Sequence, residues 1–331
     1  MKPPRRVRSF IAACMVAAGA CAMLLSAQPA AAQAWPSKPV RIEMPFATGG
    51  TDLVTRWLAL KLAPVLGQQI VPEPRTGAGG NIAFEIVAKS APDGYTLLMA
   101  PPPFVVNHTL YAKVPYDPFR DFAPIILCAS VPTVLVSHPS VPAKNLRELI
   151  QIARANPNKL SYASGGIGST PHLSGELLKS LTKTQIVHVP YKGGSLGLVG
   201  AMSGEVDIVF TTMNAAVTSY VNSGRMRGMA ILDQKRVVSI PQVPTSAEAG
   251  LPQLVAINWY VLMAPAGTPR EIIDRLNAET AKIMQTAETR ERLLAVGGEP
   301  ATSTPEQAVE FVRTEHARWA KVIKDAGIRA E

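Results

Sequence analysis

Apolar patterns typical of strands and of helices alternate along the chain, and this alternation limits the fold more than any other feature. Val40, Ile42 and Met44 alternate with other residues as in a strand, and residues 52–63 follow with helical spacing. Further strands are predicted at residues 95–99, 125–136, 160–163, 186–189, 206–210, 226–232 and 259–263. Helical patterns separate several of them, and such alternation predicts an α/β fold with largely parallel sheets.

Two extended stretches, residues 121–139 and 241–265, have the features of crossings between two lobes. The first is long and is interrupted by Pro132. The second is rich in proline and glycine, with one short helix predicted at residues 246–249.

Two crossings imply that one lobe is built from both ends of the chain and that the other is inserted between them. The predicted boundaries assign residues 35–137 plus 254–331 to lobe 1 and residues 138–253 to lobe 2. This layout leaves a cleft between the lobes. Clefts at domain interfaces are preferred places for small ligands, so the cleft is the predicted binding site.

Residues 1–34 have the three parts of a secretory signal peptide. Four basic residues within the first eight precede an apolar run over residues 10–25, and small residues follow up to Ala34. The run is shorter than the roughly 20 residues that a membrane-spanning helix requires. We therefore expect cleavage after Ala34 and an exported mature chain, which in a Gram-negative cell means periplasmic. A retained N-terminal anchor and a lipoprotein attached through Cys21 are the alternatives.

Charge and cysteine content exclude several classes of protein. The chain has 33 Lys and Arg against 24 Asp and Glu, and four of the basic residues belong to the predicted signal peptide. The remaining excess is too small to indicate nucleic-acid binding, and no basic run with interleaved aromatics follows. Cys128 is the only cysteine beyond the signal, and no metal-ligand spacing of His, Cys, Asp or Glu occurs. We expect no nucleic-acid partner, no metal, no cofactor and a monomer.

A first glycine-rich turn joins a predicted strand to a predicted helix. It reads Pro45-Phe46-Ala47-Thr48-Gly49-Gly50-Thr51-Asp52. Glycines allow a sharp turn, and the helix start offers unpaired N–H groups and the positive end of the helix dipole. Asp52 is predicted to cap this helix. The turn either binds a carboxylate or phosphate through main-chain N–H groups or is a strand–helix turn that requires glycine; it matches neither a P-loop nor a Rossmann turn.

A second glycine-rich turn again joins a strand to a helix. It reads Ser164-Gly165-Gly166-Ile167-Gly168-Ser169-Thr170-Pro171-His172. Pro171 suits the first helical position, so Thr170 is predicted as the N-cap. Ser164, Ser169 and Thr170 add hydroxyl groups beside free amides, and one such turn in each lobe favours a ligand clamp. His172 either donates a hydrogen bond to an anion or is a polar surface residue.

A catalytic interpretation of the second turn has little support. Ser169 with His172 or His188 would supply a nucleophile and a base, but Ser169 does not lie in a G-x-S-x-G elbow. No acid is placed by a motif to orient either histidine. We therefore expect a binding protein rather than an enzyme, and a secreted α/β enzyme acting on a small carboxylate is the alternative.

The chain resembles a known family over nearly its whole length after residue 34. The blocks that carry the resemblance are residues 35–41, 45–52, 75–82, 91–97, 116–124, 164–172, 188–193, 243–250, 264–269 and 319–328. They make the chain similar to the substrate-binding proteins of tripartite tricarboxylate transporters, the Bug family of bacterial solute receptors. So many blocks in the same order make the match highly specific.

The resemblance implies a two-lobed periplasmic-binding-protein (Venus flytrap) architecture that closes on a small, usually carboxylated solute. It also implies delivery of this small organic acid to the integral-membrane permease subunits of a tripartite tricarboxylate transporter, driven by an ion gradient. In the family, both glycine-rich turns face the ligand, largely through backbone amides, hydroxyls and waters. A receptor that serves a sensor kinase is a further alternative.

The residues expected to bind the ligand come from both glycine-rich turns, from the segment after the strand at residues 95–99, and from two later strand ends. They are Phe46, Ala47, Thr48, Gly49, Gly50, Thr51, Asp52, Pro102, Phe104, Ser164, Gly165, Gly168, Ser169, Thr170, His172, Tyr191, Thr211 and Thr212. For Tyr191, the alternative to ligand binding is a role in packing.

Departures from the family pattern bear on the ligand. Thr48 stands where family members usually have proline, and one residue rather than two separates Gly50 from Asp52. A run of three prolines before Phe104 replaces the small hydroxyl residues that are frequent there, which removes N–H donors and adds apolar bulk. These departures argue against a common dicarboxylate and favour an aromatic or otherwise less polar acid.

Overall fold

The computed structural model describes residues 35–329. The chain divides into two units between Ser37 and Lys38, and all the strands and helices of the described residues belong to the second. The predicted signal peptide, its cleavage site and Cys21 lie outside the described residues. Over residues 35–329, no helix combines the length and the apolar character needed to cross a membrane.

The second unit is an α/β structure. Its strands are β1 (Val40–Met44), β2 (Ile70–Pro74), β3 (Thr96–Ala100), β4 (Phe122–Ser137), β5 (Ser161–Ser164), β6 (Val187–Pro190), β7 (Ile208–Thr212), β8 (Arg227–Ile231), β9 (Ile257–Pro265) and β10 (Glu299–Pro300). Its α-helices are α1 (Gly50–Leu66), α2 (Asn81–Ala88), α3 (Pro103–Leu110), α4 (Leu146–Ala155), α5 (Thr170–Thr182), α6 (Gly194–Met202), α7 (Ala215–Asn222), α8 (Arg270–Met284), α9 (Ala287–Leu294) and α10 (Pro305–Ala326). The alternation predicted from the sequence is therefore present.

The strands form two sheets that share β4. In the first sheet the order is β2–β1–β3–β9–β4, and in the second β4 pairs with β7, followed by β5 and β6. β1 runs parallel to β2 and β3, and β5 runs parallel to β6 and β7. β4 and β9 run antiparallel to all their neighbours. The sheets are therefore mixed rather than largely parallel. β4 and β9 run antiparallel to the neighbouring strands of the strand–helix units.

The long strand β4 is the first crossing between the sheets. It pairs with β9 as far as Pro132↔Ile257, and from Thr133 onward its partners are β7 and β8. The second crossing returns from β8 to β9 through residues 232–256. Residues 246–249 form turns there rather than the predicted short helix, and hydrogen bonds from the Ala249 and Gly250 amides close them.

Two buried apolar clusters stabilise the fold. The first includes Phe84, Phe104, Val105, Trp259, Val261 and Val312, and the second includes Leu135, Leu149, Tyr162, Leu173, Phe210 and Trp319. Helix α10 contributes to both. Between its two contributions, Glu315 accepts hydrogen bonds from the indole N–H groups of Trp259 and Trp319 at 2.9 and 3.2 Å. The assignment of all of α10 to lobe 1 stays a prediction.

Candidate functional site

Five helices begin directly after a strand at the same cavity. α1 follows β1, α3 follows β3, α5 follows β5, α6 follows β6 and α7 follows β7. In open α/β sheets, ligands bind beyond the carboxyl ends of the strands, where such strand–helix turns meet. The five turns meet around a cavity of about 250 Å³.

The cavity is lined by residues of both sheets and carries no charged side chain. Its lining is Phe46, Thr48, Gly49, Gly50, Thr51, Leu53, Pro101, Pro103, Val131, Gly165, Ser169, Thr170, Pro171, Gly193, Gly194, Ser195, Thr211, Thr212, Met213, Asn214, Asn258, Tyr260 and Val296. Within residues 35–329, no group of three or more His, Cys, Asp or Glu is placed to hold a metal ion.

Three of the five helices leave main-chain N–H groups free at the cavity. The first intrahelical hydrogen bonds are donated by the amides of Leu53 in α1, Leu173 in α5 and Gly197 in α6. The amides before these positions have no partner inside their helix. Gly50, Thr51 and Thr170, whose amides are among these, line the cavity. Hydrogen-bond donors and positive dipole ends therefore converge on it.

The other two helices, α7 and α3, offer fewer free N–H donors to an anion. In α7, Asn214 accepts hydrogen bonds from the amides of Ala216 and Val217, so these donors are already satisfied. In α3, the start is made of prolines, and Pro103 has no N–H to donate. The expectation that the proline run removes donors is consistent with this geometry.

Thr170 lines the cavity, and its buried hydroxyl group has no hydrogen-bond partner among the described residues. The side chain is 1% exposed. A buried hydroxyl without a partner is costly, so such groups often mark a position that a ligand or water completes. Thr170 Oγ1 and the Thr170 amide are therefore candidate hydrogen-bond donors to a ligand at the start of α5.

Two predicted helix caps are wrong. Gly49, not Asp52, occupies the N-cap of α1, and the Asp52 carboxylate pairs with Arg56 at 2.6 Å on the helix surface. Ser169, not Thr170, caps α5, and its Oγ accepts the hydrogen bond of the His172 amide. A proline fits the first or the second helical position, and this ambiguity displaced the predicted cap by one residue.

The structure brings most, but not all, of the predicted ligand-binding residues to the cavity. Those that line it are Phe46, Thr48, Gly49, Gly50, Thr51, Gly165, Ser169, Thr170, Thr211 and Thr212. Those that do not are Ala47, Asp52, Pro102, Phe104, Ser164, Gly168, His172 and Tyr191. Ala47 is exposed, and Pro102 is buried at the N-cap of α3, between the two prolines that do line the cavity.

Phe104 and Tyr191 pack instead of lining the cavity. Phe104 is fully buried, with its ring centroid 5.6 Å from that of Tyr116 and 4.8 Å from that of Phe122. Tyr191 lies against Gly200 of α6, where a Cβ atom would come within 2.3 Å of the tyrosine oxygen. The apolar bulk predicted from Phe104 thus belongs to the core.

Ser164, Gly168 and His172 belong to the second turn but do not line the cavity. The Gly168 amide donates to His172 Nδ1 at 3.2 Å, and Ser164 Oγ lies 2.7 Å from His188 Nε2. Burial lowers the pKa of His172 and that of His188 to about 4. Both rings are therefore neutral near pH 7. The Ser169 hydroxyl donates to the Gly166 carbonyl at 2.6 Å, which leaves no hydrogen bond between Ser169 and a histidine ring.

Sequence reasoning missed Asn258 and Tyr260, which line the cavity from β9. Asn258 Nδ2 donates to Thr133 Oγ1 and Thr212 Oγ1 at 3.3 and 3.0 Å, so it joins both crossing strands to β7. Asn258 and Tyr260 are two residues apart, so their side chains lie on the same face of β9. Gly193, Gly194 and Ser195 were also missed, although glycines between a strand and a helix were the signal that identified the first two turns.

Known proteins resemble this chain in both sequence and fold. The model of the tripartite tricarboxylate transporter family receptor matches residues 54–328. BugT of Bordetella pertussis is 37% identical over 306 residues, which cover 92% of this chain and 94% of BugT. The structure of R. palustris Rpa4515 with adipate has a TM-score of 0.83 and 37% identity, covering 89% of this chain and 99% of that one. MatC from Rhodopseudomonas palustris with bound malate has a TM-score of 0.80 and 32% identity, covering 87% and 100%.

The members of the matched family and these structural neighbours are solute-binding receptors, not enzymes. The predicted family, the two-lobed α/β fold with two crossings and the receptor class are confirmed. The chain belongs to the family of tripartite tricarboxylate transporter receptors that includes BugT.

Proposed function

We propose that this protein binds a small organic acid in the cavity between its two sheets and delivers it to a tripartite tricarboxylate-type membrane permease. The observation that carries the proposal is the meeting of free helix amides at a cavity without charged side chains. Such a cavity attracts an anion through dipoles and hydrogen bonds. Adipate and malate, bound by two related receptors, are carboxylates.

The carboxylate is expected between the starts of α1 and α5. Gly50 and Thr51 supply main-chain amides on one side, and Thr170 supplies an amide and a hydroxyl on the other. Gly194 lies near this position, since a Cβ atom on Gly165 would be 3.1 Å from the Gly194 nitrogen. Hydrogen bonds to a charged group contribute about 1.5–3 kcal/mol each, so a few of them suffice without a cation.

The rest of the solute is expected to be weakly polar. Apolar side chains line the cavity from several elements: Phe46, Leu53, Pro101, Pro103, Val131, Met213 and Val296. Tyr260 adds an aromatic ring, and burial raises the pKa of its hydroxyl, so it stays protonated. This lining favours an aromatic or aliphatic body attached to the carboxylate.

We also infer that the protein has two lobes that close on the solute and that it is located in the periplasm. Residues 35–137 together with 254–331 form lobe 1, and residues 138–253 form lobe 2. The lobes close on the solute by a hinge. Receptors of this family are periplasmic, and the proposed signal peptide places this chain there after cleavage behind Ala34. A monomer delivers the solute to the permease subunits. A receptor for a sensor kinase would bind the same solute but would not support its uptake.

Thermal-shift screening of mono-, di- and aromatic carboxylates tests the proposal. At 100 times its dissociation constant, a true ligand adds about 2.7 kcal/mol to the free energy of unfolding. We expect an aromatic or long-chain monocarboxylate to raise the melting temperature more than short dicarboxylates such as malate. The matching neutral amides are the control. If the amides stabilise the protein as much as the acids do, the cavity does not select an anion.

Replacement of Thr170 by valine is expected to weaken ligand binding by roughly tenfold or more, because a hydrogen bond to a carboxylate is lost. The melting temperature of the ligand-free protein should stay the same or rise. Thr170 is not the helix cap, and its buried hydroxyl has no partner to lose. Isothermal titration and thermal unfolding on the same variant measure both effects.

Two controls accompany Thr170→Val. Ser169→Ala removes the true cap of α5 and should lower the free energy of unfolding by about 1 kcal/mol. Lys192→Met tests attraction by a cation, because Lys192 is exposed and does not line the cavity. If Lys192→Met abolishes binding and Thr170→Val leaves it intact, a charge pair rather than helix amides holds the solute.

A further inference from the structure

The turn before α5 is held in shape by side chains that lie behind it. Within residues 165–169, the Gly166 amide donates to Ser164 Oγ at 3.1 Å and the Gly168 amide donates to His172 Nδ1 at 3.2 Å. The Ser169 amide donates to the Gly166 carbonyl. Three amides of the turn, those of residues 166, 168 and 169, therefore have partners within the turn or behind it, and the Thr170 amide and hydroxyl are the donors that remain for a ligand.

A second layer supports these acceptors. Ser164 Oγ lies 2.7 Å from His188 Nε2, and the His172 and His188 rings are 4.4 Å apart between centroids. His188 in turn stacks on Tyr162 at 4.7 Å, and the Tyr162 hydroxyl donates to Glu176 at 2.6 Å. We call Tyr162, Ser164, His172 and His188 the histidine cluster. It connects β5, β6 and α5 directly beneath the turn.

The role of His172 in this arrangement is that of an acceptor. An imidazole nitrogen accepts a hydrogen bond only when it carries no proton, so the proton of neutral His172 lies on Nε2. A neutral ring does not attract an anion by charge. His172 is 5% exposed and does not line the cavity, so it also does not reach the ligand directly.

We propose that His172 is a positioning residue for ligand binding, supported by His188 through Ser164: the cluster fixes the turn of residues 165–169 so that Thr170 faces the solute. The part concerning affinity rests on the proposed function, because it assumes a carboxylate at Thr170. The part concerning the turn does not. From the sequence, His172 was either a hydrogen-bond donor to an anion or a polar surface residue, and a positioning role was not among these alternatives.

Two substitutions at position 172 separate positioning from mere space filling. His172→Asn keeps an acceptor oxygen close to the place of Nδ1, whereas His172→Leu fills the space without an acceptor. Loss of one hydrogen bond of about 1 kcal/mol predicts that the Gly168 amide of His172→Leu exchanges with solvent about fivefold faster. Its dissociation constant for adipate, the probe, should rise by at least the same factor. His172→Asn should resemble the wild type in both measurements.

Ser164→Ala provides a second variant if His172→Leu does not fold. It removes the acceptor of the Gly166 amide with little change in volume, so exchange at Gly166 should increase by a similar factor. Hydrogen exchange is measured on ligand-free protein by NMR, and adipate binding by titration calorimetry. The exchange result decides the proposal even where adipate does not bind.

The outcomes are distinct. Unchanged exchange in both His172→Leu and Ser164→Ala means that the turn holds its own shape, and the proposal is wrong. Equal loss of adipate affinity in His172→Asn and His172→Leu, with normal exchange in both, means that the ring contacts the solute, which also overturns it. Faster exchange as expected, with no adipate binding by the wild type, supports the positioning role and excludes only adipate as the solute.

Discussion

Replacement of Gly50 by alanine is expected to reduce solute affinity by about tenfold to a hundredfold. A Cβ atom on Gly50 would lie 1.9 Å from the hydroxyl oxygen of Tyr260 and 2.5 Å from its ring. Tyr260 is 4% exposed and lines the cavity, so the open direction for its displaced ring is the space that the solute fills. Overpacking of this kind costs about 1–3 kcal/mol, which corresponds to the predicted loss.

The double variant Gly50→Ala with Tyr260→Ala distinguishes a steric clash from a general weakening of α1. The three atoms nearest to the added Cβ all belong to Tyr260. Removal of this ring should therefore make Gly50→Ala almost neutral, and the two substitutions should be strongly non-additive in the dissociation constant. Additive losses in a full double-mutant cycle would show that Gly50→Ala acts through the turn itself.

The sequence was sufficient to predict the fold class and the two principal turns. Apolar spacing identified the strand–helix units, and glycines at strand ends identified residues 45–52 and 164–172 as turns before helices. Both kinds of signal are local, because they depend on the period of a strand or helix and on backbone freedom. Eight of the ten predicted binding residues that line the cavity do so for this reason, because they lie on the turns that the glycines mark, whereas Thr211 and Thr212 lie at the end of β7.

The direction of individual side chains was not predictable from such local signals. Phe104 follows prolines that line the cavity, yet its own side chain points to a cluster of aromatic rings from distant parts of the chain. Asn258 and Tyr260 reach the cavity because β9 lies between β3 and β4. These strands are separated from β9 by more than a hundred residues of sequence, so their pairing depends on the tertiary fold.

Acid is expected to destabilise the protein through the histidine cluster. Burial lowers the pKa of His172 and that of His188 to about 4, below the ordinary value of about 6.5 in the unfolded chain. As the pH falls from 6.5 toward 4, the unfolded state therefore binds protons first, and the free energy of unfolding decreases. For one histidine with this difference, the loss at pH 4 is about 3 kcal/mol, and no loss is expected above pH 7.

Neighbouring charges act in the same sense on both rings, but the effects of Glu176 and Lys179 on the pKa oppose each other. Glu176 favours the protonated form of His172, whereas Lys179 on the same helix opposes it, and burial outweighs both. His188 also meets the charge of His172, since the ring centroids are 4.4 Å apart, so the second proton is harder to add than the first. The rings of the folded protein should therefore remain largely neutral until the pH approaches 4.

The variant His172→Asn with His188→Gln isolates this contribution from that of the carboxylates. Asparagine and glutamine keep polar atoms near Nδ1 and Nε2, but neither side chain titrates. Urea unfolding at pH 7, 6, 5 and 4 should show a steep loss of stability for the wild type and a loss smaller by about 3 kcal/mol or more for the double variant. Parallel curves for the two proteins would mean that the buried histidines carry no pH-dependent stability.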